Sequence, residues 1–169
     1  MSDSDADSES EQFAWRDTYF VWFMASRRPS LKQLQKTLAA LPDHYELQHP
    51  EADEQGNIES ITVLSTSDRA ALEISYLAGD DIQMEAEASA EEMKAAGDSD
   101  PKRLNRLSLC DARFEVIQFE RVDENDTDAK PDDEEGFDGF DPSMLLVVVN
   151  ELSKLVDGIG VDPQSGLIV

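Results

Sequence analysis

The stretch TYFVWFMAS, residues 18–26, decides how the chain is expected to fold, because it is aromatic and branched throughout. Successive side chains of an extended strand point to opposite faces. Both faces therefore carry large apolar side chains: Phe20, Trp22 and Met24 on one, and Tyr19, Val21 and Phe23 on the other. Such a strand is typical of the interior of a sheet. We expect it to be an internal strand that is covered at least partly on each side.

The residues that follow predict a helix and then a hairpin. Ser30 is a favourable N-cap for residues 31–41, in which leucines recur at steps of three and four and define one apolar face. A short strand is predicted at 45–49. In residues 58–78, Leu72, Ile74 and Tyr76 alternate with polar residues, which predicts the second half of a β-hairpin.

Residues 82–96 fit two periodicities. Ile82, Met84, Ala86 and Ala88 alternate as in a strand, whereas Ile82, Ala86, Ala90 and Met93 recur at helical steps. Alanine and glutamate favour helix over strand, so we predict a helix with Asp80 or Asp81 as its cap. In the alternative, 82–88 form a strand and the helix begins at Ser89, where Ser89 and Glu92 have the spacing of a capping box.

The remaining pattern completes an α+β chain. A short helix is predicted to open at 98–101 and to continue through Leu104, Leu107 and Cys110. A strand is predicted at 112–121, a helix at 143–156 and a final short strand at 167–169. This order resembles the ferredoxin-like (split βαβ) arrangement, a two-layer sandwich with a mainly antiparallel sheet, plus an extra C-terminal helix and short strand. The resemblance is topological and depends on no residue motif. It implies no function, since many unrelated activities use this arrangement.

Negative charge dominates the composition. The 169 residues include 38 acidic and 14 basic side chains, which gives a formal net charge of −24. Such a chain is repelled by nucleic-acid backbones and anionic membranes, so we expect neither as a partner. Residues 1–12 carry −5 and residues 123–141, with ten acids and one lysine, carry −9, so these two segments hold −14 of the total. We predict a disordered acidic leader at 1–14 and a single α+β domain at 15–169 that contains a flexible acidic loop at 123–141.

The lack of predicted targeting signals and the single cysteine predict a cytoplasmic protein. The first twelve residues have neither a basic region nor an apolar run, so no signal peptide is predicted. The longest apolar run, 144–149, has six residues, whereas a membrane helix needs about 20. Cys110 is the only cysteine, which excludes an intrachain disulfide and a cysteine-based zinc site.

The acidic segment, residues 123–141, does not match a calcium loop. An EF-hand loop needs glycine at position six and oxygen ligands at alternating positions. Gly136 in that role places Pro131 at position one, and Gly139 places Gly136 at position three, so neither frame supplies the ligands. A dense carboxylate run with no such spacing is typical of a solvated tether. We predict no metal site and no cofactor.

Two phenylalanines within the acidic segment are the candidate binding residues. Phe137, Asp138, Phe140 and Asp141 form the motif FDGFD, in which aromatic rings alternate with carboxylates. Exposed rings beside acids suit docking to a basic protein partner. In the alternative, both rings fold back onto the domain as the chain enters its last helix.

Other reactive residue types favour structural roles. His44 and His49 are an odd number of positions apart in one predicted strand, so they point to opposite faces and do not share a metal. Cys110 has Asp111 beside it, which opposes thiolate formation, and it is expected to be a small core residue. The basic residues Lys102, Arg103, Arg106 and Arg113 are expected to offset neighbouring acids.

These patterns predict a non-catalytic cytoplasmic interaction or regulatory protein with an unidentified, basic protein partner. The alternative is a small-molecule-binding module of the ferredoxin-like kind, and a homodimer through sheet edges is compatible with either. A DNA-mimic inhibitor is disfavoured, because much of the excess charge lies in segments predicted to be flexible rather than on rigid structure.

Overall fold

A computed structural model describes residues 12–42, 45–65, 70–97, 100–122 and 143–169, and these form seven strands and four α-helices. The strands are β1 Gln12–Phe23, β2 Glu46–Ala52, β3 Ile58–Ser65, β4 Ala70–Ala78, β5 Ala112–Val122, β6 Ile159–Asp162 and β7 Leu167–Ile168. The helices are α1 Leu31–Ala39, α2 Asp80–Ala95, α3 Pro101–Ser108 and α4 Ser143–Val156.

All seven strands belong to one antiparallel sheet. Their order is β2-β3-β4-β5-β1-β6-β7, so β1 lies between β5 and β6. The prediction that β1 is internal, made from its apolar character on both faces, is confirmed. The α+β class and the predicted hairpin of β3 and β4 are confirmed as well.

Helices lie on both faces of this sheet. One core contains Tyr19, Val21 and Phe23 of β1 together with buried residues of α1 and α4. The other contains Trp22 with residues of α2, α3 and β6. The two-layer arrangement expected from the sequence is therefore wrong, because a strand that is apolar on both faces needs cover on each.

The ferredoxin-like arrangement is not confirmed, and the strand order describes a larger sheet. In a split βαβ unit, the strands joined through a helix are parallel and enclose another strand. Here β1 and β2, which flank α1, are separated by three strands, and both neighbours of β1 are antiparallel to it. The reason lies in β5, which pairs along its length with both β1 and β4. Residue periodicity does not encode that choice of partners.

Helix starts follow local side-chain chemistry. The Ser30 hydroxyl accepts a hydrogen bond from the Gln33 backbone N–H, and the Gln33 side chain accepts one from the Ser30 N–H, each at 3.1 Å. This reciprocal capping box confirms Ser30 as the N-cap of α1. At α3, the Asp100 carboxylate accepts from the Arg103 N–H at 3.3 Å, and Pro101 occupies the first turn.

The predicted helix at 82–96 is confirmed, and its strand alternative is wrong. The helix α2 begins at Asp80, and its buried face consists of Ile82, Ala86, Ala90 and Met93. Its N-cap is Gly79 rather than an aspartate. Asp80 and Asp81 lie within the first turn, where carboxylates interact favourably with the helix dipole.

The start of α4 is less buried than its sequence indicates. Leu146 and Val147 are 40% and 39% exposed, although Met144, Leu145 and Val148 are buried. The helix contacts the sheet on one side only, so two of the six consecutive apolar residues at 144–149 face outward. Only part of this apolar run is therefore buried.

Several predictions lie outside the described residues. These are most of the acidic leader, the acidic segment and its candidate binding residues Phe137, Asp138, Phe140 and Asp141. Within the described parts of the chain, no helix is both long enough and apolar enough to cross a membrane.

Candidate interaction surface

An apolar row crosses four strands at one end of the sheet. Leu64 of β3 pairs with Ala71 of β4, Ala71 pairs with Phe119 of β5, and Phe119 pairs with Trp15 of β1. Directly paired residues of neighbouring antiparallel strands lie on the same face. Trp15, Leu64, Ala71 and Phe119, which we call the apolar row, therefore share one face of the sheet.

A β-bulge places Trp15 in the apolar row. The pairing of β1 with β5 shifts between Trp15 and Asp17, so Arg16 is the extra residue. The shift brings Trp15 to the face that carries Thr18 and Phe20, and the indole N–H of Trp15 donates to the Thr18 hydroxyl at 2.9 Å. Without the extra residue, alternation would direct the indole to the opposite face. The bulge thus fixes the chemistry of this surface.

Three residues of the apolar row are at least partly exposed, whereas Ala71 between them is only 7% exposed. Trp15 is 49% exposed, and Leu64 and Phe119 are half-buried, as is Ile117 in the next row on the same face. None of these side chains belongs to either helix-covered core. On this face α2 and α3 pack over Trp22, Ile159 and Val161, with Phe20 and Leu77 at the margin. The described helices thus cover one end of this face and leave the other end open.

Carboxylates border the apolar row. Glu46 of β2 pairs with Leu64 and so continues the row at the edge of the sheet. Glu73 lies two residues beyond Ala71 on the same face and pairs with Ile117. Both glutamates are exposed. Two exposed carboxylates therefore lie beside the apolar row on the same face.

Arg113 lies in the helix-covered part of this face, where it pairs with Trp22 and Leu77. Its side chain is only 7% exposed, and its guanidinium forms ion pairs with Glu85 of α2 and Glu115 of β5. The guanidinium carbon also lies 4.2 Å from the centre of the Phe20 ring and 5.0 Å from that of Trp22. Both acids neutralise the buried charge, and the contacts join α2 to the sheet.

The other basic residues of the predicted cluster do not converge with Arg113. Arg106 donates to the Asp157 carbonyl at 2.7 Å and lies 3.6 Å from its carboxylate, and Arg103 lies 3.7 Å from Asp100. Lys102 is exposed on α3. The expectation that these arginines offset neighbouring acids is confirmed.

Cys110 is a core residue with a weakly acidic thiol. It is 5% exposed, packs in the core beneath α2 and α3, and its sulfur lies 3.3 Å from the Arg106 carbonyl, to which the thiol donates. Burial raises the pKa of this thiol to about 11, and this effect exceeds the lowering by Arg106. The thiol is therefore protonated at neutral pH, as its predicted structural role requires.

Only one of the two histidines lies within the described residues. His49 is exposed in β2 with a φ of 53°, and His44 lies outside the described residues. Within the parts of the chain that the structure describes, no three His, Cys, Asp or Glu side chains are placed to hold a metal ion.

Sequence reasoning missed a cleft beside Arg28. The Arg28 guanidinium stacks 4.0 Å from the centre of the Tyr76 ring, donates to the Ile58 carbonyl and pairs with Asp53 at 3.2 Å. A cleft of about 660 Å³ opens beside it, and its lining includes Glu51, Glu59, Tyr76 and Asp81. Burial raises the pKa of Tyr76 above its ordinary value of 10.0. The sequence gives no sign of this cleft, because Arg28, Asp53 and Tyr76 lie far apart along the chain.

The apolar row was also missed, although each of its residues is visible in the sequence. Phe119 and Leu64 occupy alternating positions of predicted strands, but only the register reveals that they adjoin Trp15. The signal available was Trp15 itself, a large aromatic residue close to an acidic leader.

Compared with known proteins, the chain matches no family model, no curated protein and no solved structure.

Proposed function

We propose that this chain is a non-catalytic interaction protein of the cytoplasm that binds a basic protein partner. The observation that carries the proposal is the apolar row, which lies beside a part of the same face that helices cover. In this row Trp15 is exposed, Leu64 and Phe119 are half-buried, and Ala71 is buried. Contiguous exposed apolar side chains rimmed by polar ones are typical of protein-binding surfaces. The acidic composition supports a basic partner, because opposite charge steers association.

The acidic segment is the second part of this proposal. Phe137, Asp138, Phe140 and Asp141 supply aromatic rings and carboxylates suited to the same basic partner. Its point of departure supports this role. The segment follows Val122, which pairs with Gln12 three residues before Trp15, so it leaves the sheet at the end that carries the apolar row.

A non-catalytic role is supported by the state of the candidate reactive groups. The Cys110 thiol is buried and protonated at neutral pH, and the buried Arg113 is neutralised by two glutamates. These side chains stabilise the fold in ways that leave neither of them available to a substrate.

Affinity capture from extracts of the source cell tests the proposal. The full chain should recover one specific protein, and recovery should fall when residues 123–141 are replaced by a Gly/Ser linker of equal length. The double variant Phe137→Ser and Phe140→Ser separates the rings from the charge, because it leaves all ten acids in place. Absence of any specific protein with the unmodified chain would refute the interaction role. Undiminished recovery by the linker variant would remove the segment from it.

A small-molecule-binding module is a second candidate function, and the cleft beside Arg28 favours it. A volume of about 660 Å³ is of the size that small-ligand sites have, and carboxylates at its rim suit a cationic ligand. A thermal-shift screen of amines, amino acids and divalent ions tests this function, since a ligand that binds only the folded chain raises the melting temperature. A hit should be lost in Tyr76→Ala. A screen without shifts beyond those of salt controls would dismiss the cleft as a binding site.

A further inference from the structure

We propose that the apolar row is the docking site for one amphipathic helix, basic on its outer face, contributed by another protein. This inference rests on the proposed interaction function and names the partner's chemistry and the surface that binds it.

The dimensions of the open surface fit a helix. Four strands carry the apolar row, and three spacings of ~4.8 Å give a width of ~14 Å. A helix with its side chains is ~10 Å across. The chain already places α2 against the adjoining part of this face, where Ile82, Ala86 and Met93 pack around Trp22. A partner helix would repeat that packing at the uncovered end.

Added strands are poorer occupants than a helix, because both edges of the sheet are interrupted. In the edge strand β2, His49 adopts a φ of 53°, Pro50 lacks an N–H donor, and the pairing with β3 shifts between Gln48 and Glu51. The opposite edge strand, β7, has two residues. The face of the sheet, rather than either edge, is the surface that remains open.

Charge selects the partner. Exposed Glu46 and Glu73 flank the apolar row, and the chain carries −24 overall. Lysine or arginine beside the apolar stripe of a partner helix would lie near these carboxylates. A second copy of the chain would bring the same acids together. The acidic segment, at −9, would be repelled by them. Both are therefore weaker candidates than a basic helix.

Calorimetry with a synthetic peptide tests the site in the full chain. The probe is an amphipathic Leu/Lys peptide of ~18 residues, because shorter isolated helices are marginal in water. A Leu/Glu peptide of the same pattern tests the role of charge, and a Leu/Lys peptide with two central prolines tests the role of the helix. We expect the first to bind and the other two to bind at least tenfold more weakly, roughly one hot-spot contribution.

Variants then locate the binding site. Trp15→Ser should weaken binding of the Leu/Lys peptide roughly tenfold, and Trp15→Phe should retain most of it, because a ring still fills the row. The matched control is Met84→Ser on α2, which removes a side chain that is 66% exposed and lies outside the row. It should leave binding unchanged. Equal melting temperatures of the Trp15 variants would show that loss of binding is not loss of folding.

Five results would overturn the inference. Equal binding of the Leu/Lys peptide by wild type and Trp15→Ser would mean that the peptide is attracted to the acidic residues in general. A loss of binding in Met84→Ser as large as that in Trp15→Ser would mean the same. Binding that appears only after residues 123–141 are replaced by a linker would assign the row to the chain's own segment. A wild-type dimer that Trp15→Ser converts to a monomer in sedimentation would assign it to a second copy. Undiminished capture of the natural partner by Trp15→Ser would overturn this inference while leaving the interaction function intact.

Discussion

At the scale of single residues, Cys110 and Trp15 show opposite outcomes for side chains that attract attention in the sequence. Cys110 becomes a buried, protonated core group because helices α2 and α3 enclose it. Trp15 remains 49% exposed because the β-bulge at Arg16 turns it toward the uncovered end of the sheet. The sequence predicted the first outcome from residue type alone. The second depends on one extra residue in a strand, which no periodicity reveals.

We predict that the raised pKa of Cys110 makes stability fall at alkaline pH. The folded pKa is about 11, against an ordinary value of 9.0, so the folded state retains its proton where the unfolded state has lost it. The contribution of the raised Cys110 pKa to the free energy of unfolding is therefore complete below pH 9 and is lost as pH rises toward 11. Denaturant unfolding measures the free energy of unfolding at pH 8 and at pH 10.5. Its decline between the two should be smaller in Cys110→Ala than in the wild type, by on the order of 1 kcal/mol. An identical decline in both proteins would contradict this origin.

At the scale of elements, local chemistry and long-range pairing differ in how far the sequence foretells them. The starts of α1 and α3 were predictable from nearby residues. Ser30 accepts a hydrogen bond from a backbone N–H of the first turn of α1, and Pro101 has no N–H that would need an acceptor in the first turn of α3. The type of α2 followed from its alanines and glutamates. The place of β5 between β4 and β1 was not predictable, since any strand with alternating apolar residues offers the same hydrogen-bonding groups to every neighbour. The open end of the sheet was unforeseen for the same reason.

We predict that Ser30→Ala destabilises the protein by about 0.5–2 kcal/mol, because it removes the acceptor for the Gln33 N–H at the start of α1. Chemical denaturation measures this loss. Ser26→Ala, an exposed serine in the turn before α1, is the matched control and should change the free energy of unfolding by less than about 0.5 kcal/mol. Equal effects of the two changes would show that the capping box contributes nothing.

We predict that Gly158→Ala destabilises the protein more than Gly160→Ala. A Cβ at position 158 would lie 2.5 Å from the Trp22 carbonyl oxygen, a backbone atom that cannot move without disturbing β1. At position 160 the nearest atoms belong to side chains rather than to the backbone, and they lie farther away, at 3.0 Å for Val149 and 3.1 Å for Val169. We expect a loss of about 1–3 kcal/mol for the first change and less for the second. Thermal unfolding of both variants checks the order, and a reversed order would mean that the connection after α4 is not closely packed against β1.

At the scale of the whole molecule, charge opposes the compact state. The formal net charge is −24, and mutual repulsion of carboxylates favours expansion. Ion pairs offset this locally, as at Arg28 with Asp53 and at Arg113 with its two glutamates. The composition allowed this repulsion to be anticipated, whereas the particular pairs required the fold.

We predict that added salt raises the melting temperature, because it screens the repulsion. For a chain of this size a rise of about 3 °C corresponds to about 1 kcal/mol. Replacing residues 123–141 by a neutral linker removes −9 and leaves −15, so that variant should respond less to sodium chloride. Melting curves should be recorded from low salt to about 1 M sodium chloride, where the Debye length falls to about 3 Å. An equal response in both proteins would show that charge in this segment does not act on the folded core.

The pairing of β1 with β5 has a consequence for synthesis of the chain on the ribosome. The partners of β1 lie from 89 residues later, for Phe23 with Ala112, to 110 residues later, for Gln12 with Val122. The strand β1, which is apolar on both faces, therefore remains unpaired while about two thirds of the chain is translated. Its other partner, β6, is synthesised later still. Unpaired strands of this kind are prone to aggregate. Newborn chains should depend on chaperones until β5 leaves the exit tunnel.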